Sequence, residues 1–173
     1  MIVKSVKSPI FIVNVKNHKK IKLSFLDYFQ DLLKHNNQKN SYKKNDYKVS
    51  NTDWFIDKNI KRNYESLFYK VIEDNLVDSI KKIFLCNNIE IHNYWFHQYL
   101  KNDNYDWHTH SKSQYSSVYY IELPNKKYKT IFKDINIDVN EGDILSFPSY
   151  LLHKSPILNN ERKTILSFNF SVF

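Results

Sequence analysis

Residues 141–153 read Glu141-Gly142-Asp143-Ile144-Leu145-Ser146-Phe147-Pro148-Ser149-Tyr150-Leu151-Leu152-His153. Gly142 between two acids is a turn signal, and Ile144 to Phe147 has the composition of a strand. Pro148 ends that run and marks a bend, so His153 falls just past a strand. The same texture extends on both sides. From residue 89 onward, short β-rich runs over 91–100, 115–123, 128–132, 135–139, 143–147 and 164–173 are separated by turn residues. Many short strands at close spacing predict an antiparallel sandwich or barrel that closes at the C-terminus.

Upstream the periodicity changes. Residues 10–15 form a short apolar run after Pro9. Ser24 can cap a helix to about residue 36, with Phe25, Leu26, Phe29, Leu32 and Leu33 on one face. A second helix is expected over 63–84, where Phe68, Ile72, Leu76, Ile80 and Phe84 recur every fourth residue. Between them, 37–62 is rich in Asn, Lys and Asp and reads as a long loop. The 173 residues suit one domain, with 1–88 as a helical support region and 89–173 as the β core. A single cysteine, Cys86, rules out an internal disulfide, and the first 16 residues lack an apolar run fit for a signal peptide or membrane span. A cytoplasmic protein with no membrane partner is the expectation.

The net charge is +8, yet the chain has no alanine, one glycine and two arginines among many Lys, Asn, Ile and Tyr. That is the signature of an AT-rich genome. The basic residues are also dispersed, whereas a nucleic-acid footprint gathers them on one face, so nucleic acid is not expected as the principal partner. The same bias makes Arg62, Arg162 and Gly142 informative, as positions where a substitute does not serve.

His108 and His110 stand in Tyr105-Asp106-Trp107-His108-Thr109-His110. On a strand, i and i+2 point to one face about 6.6 Å apart, so two imidazoles can converge on a metal. Such a pair alone says little and is often a surface accident. His153 adds a third imidazole that could complete a facial ligand set with positions left open, or could be a satisfied core histidine beside Leu151 and Leu152. Arg162 follows nine residues later. A guanidinium can grip a carboxylate bidentately, with Thr164 adding a hydroxyl from the same strand face; a solvent-exposed arginine is the plainer alternative.

At this point the chain resembles a known family. Residues 142–153, followed by Glu161-Arg162 and Ser167-Phe168-Asn169, look like the closing signature of small 2-oxoglutarate–Fe(II) oxygenases. These are common in phage and marine bacterial genomes and distantly related to prolyl hydroxylases. The block His108-Thr109-His110 before Ser116-Ser117-Val118-Tyr119-Tyr120 is similar to their preceding motif. The resemblance covers about 89–173. It implies a mainly β fold, a double-stranded β-helix (jelly-roll, cupin-like) barrel with helices packed outside. It also implies Fe(II) on His108, His110 and His153, with 2-oxoglutarate and O2 as co-substrates. Arg162 would pair with the far carboxylate of 2-oxoglutarate, helped by Thr164, Tyr120 and Tyr99; the two tyrosines could equally be barrel-core aromatics. The reaction implied is hydroxylation of an unactivated C–H on a small-molecule or peptidyl substrate.

Two departures stand out. The usual carboxylate ligand is replaced by His110, with Asp106 and Asp103 as nearby acids that could ligate instead, and a usual glycine is Ser117. The rival readings are a three-histidine cupin-like dioxygenase without 2-oxoglutarate and a non-catalytic β-barrel binding module. Nothing in the sequence fixes an oligomeric state.

Overall fold

The computed structural model describes residues 7–35, 41–44, 47–57 and 60–173. Its strands are β1 (Phe11–Asn14), β2 (Tyr42–Lys44), β3 (Tyr47–Val49), β4 (Asn51–Thr52), β5 (Ile89–Tyr99), β6 (Tyr105–His108), β7 (Tyr115–Glu122), β8 (Ile131–Phe132), β9 (Asp143–Pro148), β10 (His153–Ser155) and β11 (Lys163–Val172). Three helices, α1 (His18–His35), α2 (Glu65–Asn75) and α3 (Val77–Phe84), precede β5. The large sheet runs β1-β9-β7-β11-β5-β4 and faces a small sheet β6-β10-β8; β2 and β3 form a separate hairpin. The strand pairs are antiparallel throughout. This is a double-stranded β-helix with helices on its outer face. None of the described helices is long and apolar enough to cross a membrane.

Alternation along the strands separates two cores. Outward-facing Phe96, Tyr119, Leu166, Phe168 and Phe170 pack against Phe25, Phe29, Phe68 and Leu76 of the helical region. Phe29 stacks on Phe96 with centroids 4.2 Å apart. Each such buried aromatic contributes about 1.5–3 kcal/mol relative to exposure. Inward-facing Tyr99, Val118, Tyr120, Leu145, Phe147 and Ile165 form the second core, between the sheets. Period-two patterning fixes which set faces where.

Several local expectations are corrected. α1 begins at His18 rather than Ser24: the first-turn amides of Lys20 and Ile21 bond to the Asn17 carbonyl, and Ile21 extends the apolar stripe one turn upstream. The expected helix over 63–84 is two, divided at Leu76 (φ −114°). There the Asn75 amide donates to the Val71 carbonyl and accepts from Lys16 N–H, a local competitor for helical hydrogen bonds. The described parts of 37–62 carry three short strands instead of loop alone, while 37–40, 45–46 and 58–59 lie outside the described residues. Residues 135–139 form no strand, although Val139 is buried in the inner core.

The retained glycine has a steric reason. Gly142 sits at φ +93°, and a Cβ there would lie 3.0 Å from His18 Cγ. Arg62 also has one. It donates to the buried Asp53 carboxylate, which further accepts from Tyr64 O–H and Phe96 N–H, tying the loop after β4 to β5.

Candidate active site

β5 and β11 run antiparallel in a register that sets Lys163 opposite Tyr99, Ile165 opposite His97, Ser167 opposite Trp95 and Asn169 opposite Asn93. All eight side chains face the space between the sheets and line one cavity of about 750 Å³. The opposite wall comes from the small sheet. There β10 pairs with β6 so that His153 lies directly across from His108. His110, two residues on, is held by its own N–H to the Ser149 carbonyl (2.9 Å).

The three imidazoles meet. Their ring centroids are 4.2 Å (His108–His153), 5.2 Å (His108–His110) and 5.3 Å (His110–His153) apart. One ligand nitrogen from each lies within 4.8 Å of the other two. His108 Nδ1 donates to the Asp106 carbonyl and His153 Nδ1 to the Leu151 carbonyl, both at 2.7 Å. A carbonyl only accepts, so both rings carry their proton on Nδ1 and leave the Nε2 lone pair toward the cluster. Burial holds all three below the ordinary histidine range: His108 lowered, His110 pushed to about 4, and His153 to about 3 with the neighbouring His108 adding to it. Neutral imidazoles, two of them with oriented lone pairs, suit a divalent metal. The donor set therefore fits a metal ion. Among the described residues no carboxylate joins it. Asp106 contributes its backbone carbonyl, and Asp103 is consumed by Ser50 N–H, Leu100 N–H and Lys48.

The arginine expected at the co-substrate site does not reach the cavity. Arg162 is exposed and makes a bidentate pair with Glu122 of β7 (2.6 and 2.9 Å). Thr164 shares that face, donating to Glu122 and accepting from Gln98, and it too is absent from the lining. The physical reason is strand parity: a one-residue offset sends a side chain to the other face of the sheet. Lys163 is the inward residue. It is fully buried, its ammonium donates to the Tyr128 carbonyl (2.9 Å) and Ser155 Oγ (2.5 Å), and it rests 4.6 Å above the Tyr99 ring. Among the described residues no carboxylate lines the cavity. Burial alone pushes Lys163 down to about 7, because desolvation disfavours the charged form.

Tyr99 lines the cavity beneath that ammonium; burial raises its phenol. Tyr120 sits in the interior core rather than on the cavity surface, donating to Thr130 Oγ1 (2.7 Å), and burial raises it to about 12. Trp95 and Phe147 line the cavity, whereas Trp107 lies under Lys154. Sequence reasoning missed Lys163 because the arginine beside it drew the assignment; counting inward positions back from Asn169 in steps of two would have found it.

No protein-family model matches the chain, and no curated protein matches it. Its fold does match solved structures. A prolyl-4-hydroxylase from Pseudomonas putida superposes with TM-score 0.61 at 13% identity, over 93% of this chain and 91% of that one. The viral collagen prolyl hydroxylase of Paramecium Bursaria Chlorella virus-1, in its 2-oxoglutarate complex, gives 0.57 at 13% identity over 93% and 94%. A 2OG-Fe(II) oxygenase family oxidoreductase from Burkholderia pseudomallei gives 0.55 at 10% identity over 65% of this chain and 60% of that one, so this chain spans less than two thirds of that protein. The barrel that carries the histidine cluster and the buried lysine has the double-stranded β-helix fold of 2-oxoglutarate–Fe(II) oxygenases and prolyl hydroxylases.

Proposed function

We propose that the chain is a 2-oxoglutarate- and Fe(II)-dependent oxygenase that hydroxylates an unactivated C–H of a small-molecule or peptidyl substrate. The observation that carries this reading is the pairing, in one cavity, of a three-histidine cluster with a buried lysine that has no acidic partner among the described residues. His108, His110 and His153 would hold the iron, leaving its remaining positions open to the cavity. Bound there, iron with 2-oxoglutarate and O2 supplies the oxidising power. The chain's own residues bind, orient and exclude. Lys163 receives the far carboxylate of 2-oxoglutarate, held in place by the Tyr99 ring, Ser155 and the Tyr128 carbonyl. Arg162 braces the sheet from outside through Glu122. Ile165, Val118 and Phe147 keep the middle of the cavity apolar, which strengthens the charge contacts on either side.

The test is anaerobic reconstitution with Fe(II) and 2-oxoglutarate. A visible charge-transfer band is expected, retained in Arg162→Ala and lost in Lys163→Ala, with succinate released on admission of oxygen. The all-imidazole ligand set gives a second reading some weight: a cupin-like dioxygenase that does not use 2-oxoglutarate. Metal uptake with no band and no dependence on 2-oxoglutarate would establish that reading instead.

A further inference from the structure

The inward ladder of β5 and β11 changes chemistry along its length. Beyond the histidine cluster from Lys163, it ends in neutral amides and hydroxyls. Asn169 donates to Asn93 Oδ1 (2.8 Å), and Ser116 donates to Asn169 Oδ1 (2.7 Å). Asn93 thus keeps its own N–H donors for a ligand, beside a tryptophan wall. Trp95 lies 5.8 Å from the His110 ring, and Trp54 meets Trp95 edge-on at 4.6 Å (76°). Trp54 and Phe55 line the cavity while remaining 47% and 42% exposed.

This exposed aromatic rim is held rigidly. Trp95 Nε1 donates to His97 Nε2, so His97 donates from Nδ1 to Thr52 Oγ1, which in turn accepts from Trp54 N–H and donates to the Phe96 carbonyl. Next to it, Asp53 is clamped by Arg62, Tyr64 and Phe96 N–H. Presenting two large aromatics to water at a cavity mouth, on a loop fixed by buried polar bonds, is the arrangement of a stacking platform. Lys112, at φ 64°, also lines the cavity, and no carboxylate does among the described residues. Hydroxyl-rich ligands are best met by carboxylate acceptors, which the described lining lacks. A flat ring with paired donors and acceptors matches a side-chain amide and an indole face.

We propose that this outer limb is a nucleobase subsite. The base stacks on Trp54 and is read along its edge by Asn93, and the phosphate lies toward Lys112. The proposal deepens the oxygenase reading, because it assigns the outer limb to the substrate once the inner limb holds 2-oxoglutarate.

Isothermal titration calorimetry on the protein loaded with Ni(II), which prevents turnover, tests both independently. 2-Oxoglutarate is titrated first. The 2-oxoglutarate complex is then titrated with the 5′-monophosphates of adenosine, guanosine, cytidine, uridine and thymidine, with mixed-sequence single-stranded tetranucleotides, and with ribose 5-phosphate and N-acetylprolinamide. Saturable binding of at least one nucleotide or tetranucleotide is expected, with none for ribose 5-phosphate. Trp54→Ala should weaken it about tenfold or more while Trp54→Phe keeps most of it, and neither should change 2-oxoglutarate affinity. Tighter, salt-sensitive binding of the tetranucleotide identifies a single strand as the source, and equal affinity identifies a free nucleotide. No nucleotide binding by a protein that does bind 2-oxoglutarate overturns the proposal alone, as does preferential binding of N-acetylprolinamide or ribose 5-phosphate. Failure to bind 2-oxoglutarate overturns the oxygenase reading, and the proposal with it.

Discussion

Lys163 and Tyr99 face each other across β11 and β5, the ammonium 4.6 Å above the ring, while the neighbouring Arg162 points away to Glu122. One residue of parity therefore decides which cation serves the cavity. Replacing Lys163 by Met should abolish measurable 2-oxoglutarate binding, since truncating one side of a buried charge pair costs about 2–5 kcal/mol. The same variant should be more stable than the parent without ligand, because an unpaired buried charge is removed. Arg162→Ala should change 2-oxoglutarate affinity less than about fivefold, because its guanidinium is spent on Glu122 outside the cavity lining and such an exposed pair is worth at most about 1 kcal/mol. Titration calorimetry and thermal melts of both variants check this.

The pH dependence of 2-oxoglutarate binding follows from the same lysine. Burial sets free Lys163 at about 7, below its ordinary value of 10.5, and a carboxylate bound to it raises that value. Binding then takes up a proton above pH 7, so affinity should be level below about pH 7 and fall toward tenfold per unit above it. The ligand-free protein should show the opposite trend. With the folded value lower than the unfolded one, the lysine's destabilisation is full below about 7 and is relieved as pH rises from 7 to 10.5. Affinities and melting temperatures across pH 6.5–9 test both signs.

His153→Ala should lower Ni(II) or Fe(II) affinity by at least about 100-fold, because it removes one of the three imidazole donors; even the loss of a group that only orients a ligand costs about 10–100-fold. His110→Asp should retain the metal, since a carboxylate on the same backbone position can still ligate and restores the charge that the all-histidine set lacks. Metal titration with a competing chelator distinguishes them.

Arg62→Ala should destabilise the fold by about 3 kcal/mol. It strands the fully buried Asp53 carboxylate, whose remaining partners are Tyr64 and Phe96 N–H. Denaturant unfolding measures the loss, and increased acrylamide quenching of Trp54 would report the loosened rim before global unfolding.

Gly142→Ala should cost about 1–3 kcal/mol, combining a left-handed backbone with a Cβ driven toward the His18 ring. Pairing it with His18→Ala should recover part of the loss, measurable in the same unfolding experiment.

Much of this was legible from residue order. The short, closely spaced β-rich runs predicted the barrel, the i, i+2 spacing of His108 and His110 put two imidazoles on one face, and the strand-bend-histidine pattern of 141–153 presented the third. These are local properties, set by backbone geometry a few residues at a time. What the chain order could not carry is registry between distant segments. Only pairing of β6 with β10 brings His153 across from His108, and only the register of β11 against β5 turns Lys163 inward and Arg162 out. Likewise the Asp53–Arg62–Tyr64 clamp joins a loop, a helix entry and a strand. A hydrophobic pattern specifies that a face is buried; which polar groups meet inside depends on how the strands slide past one another, and the summed packing of both cores settles that.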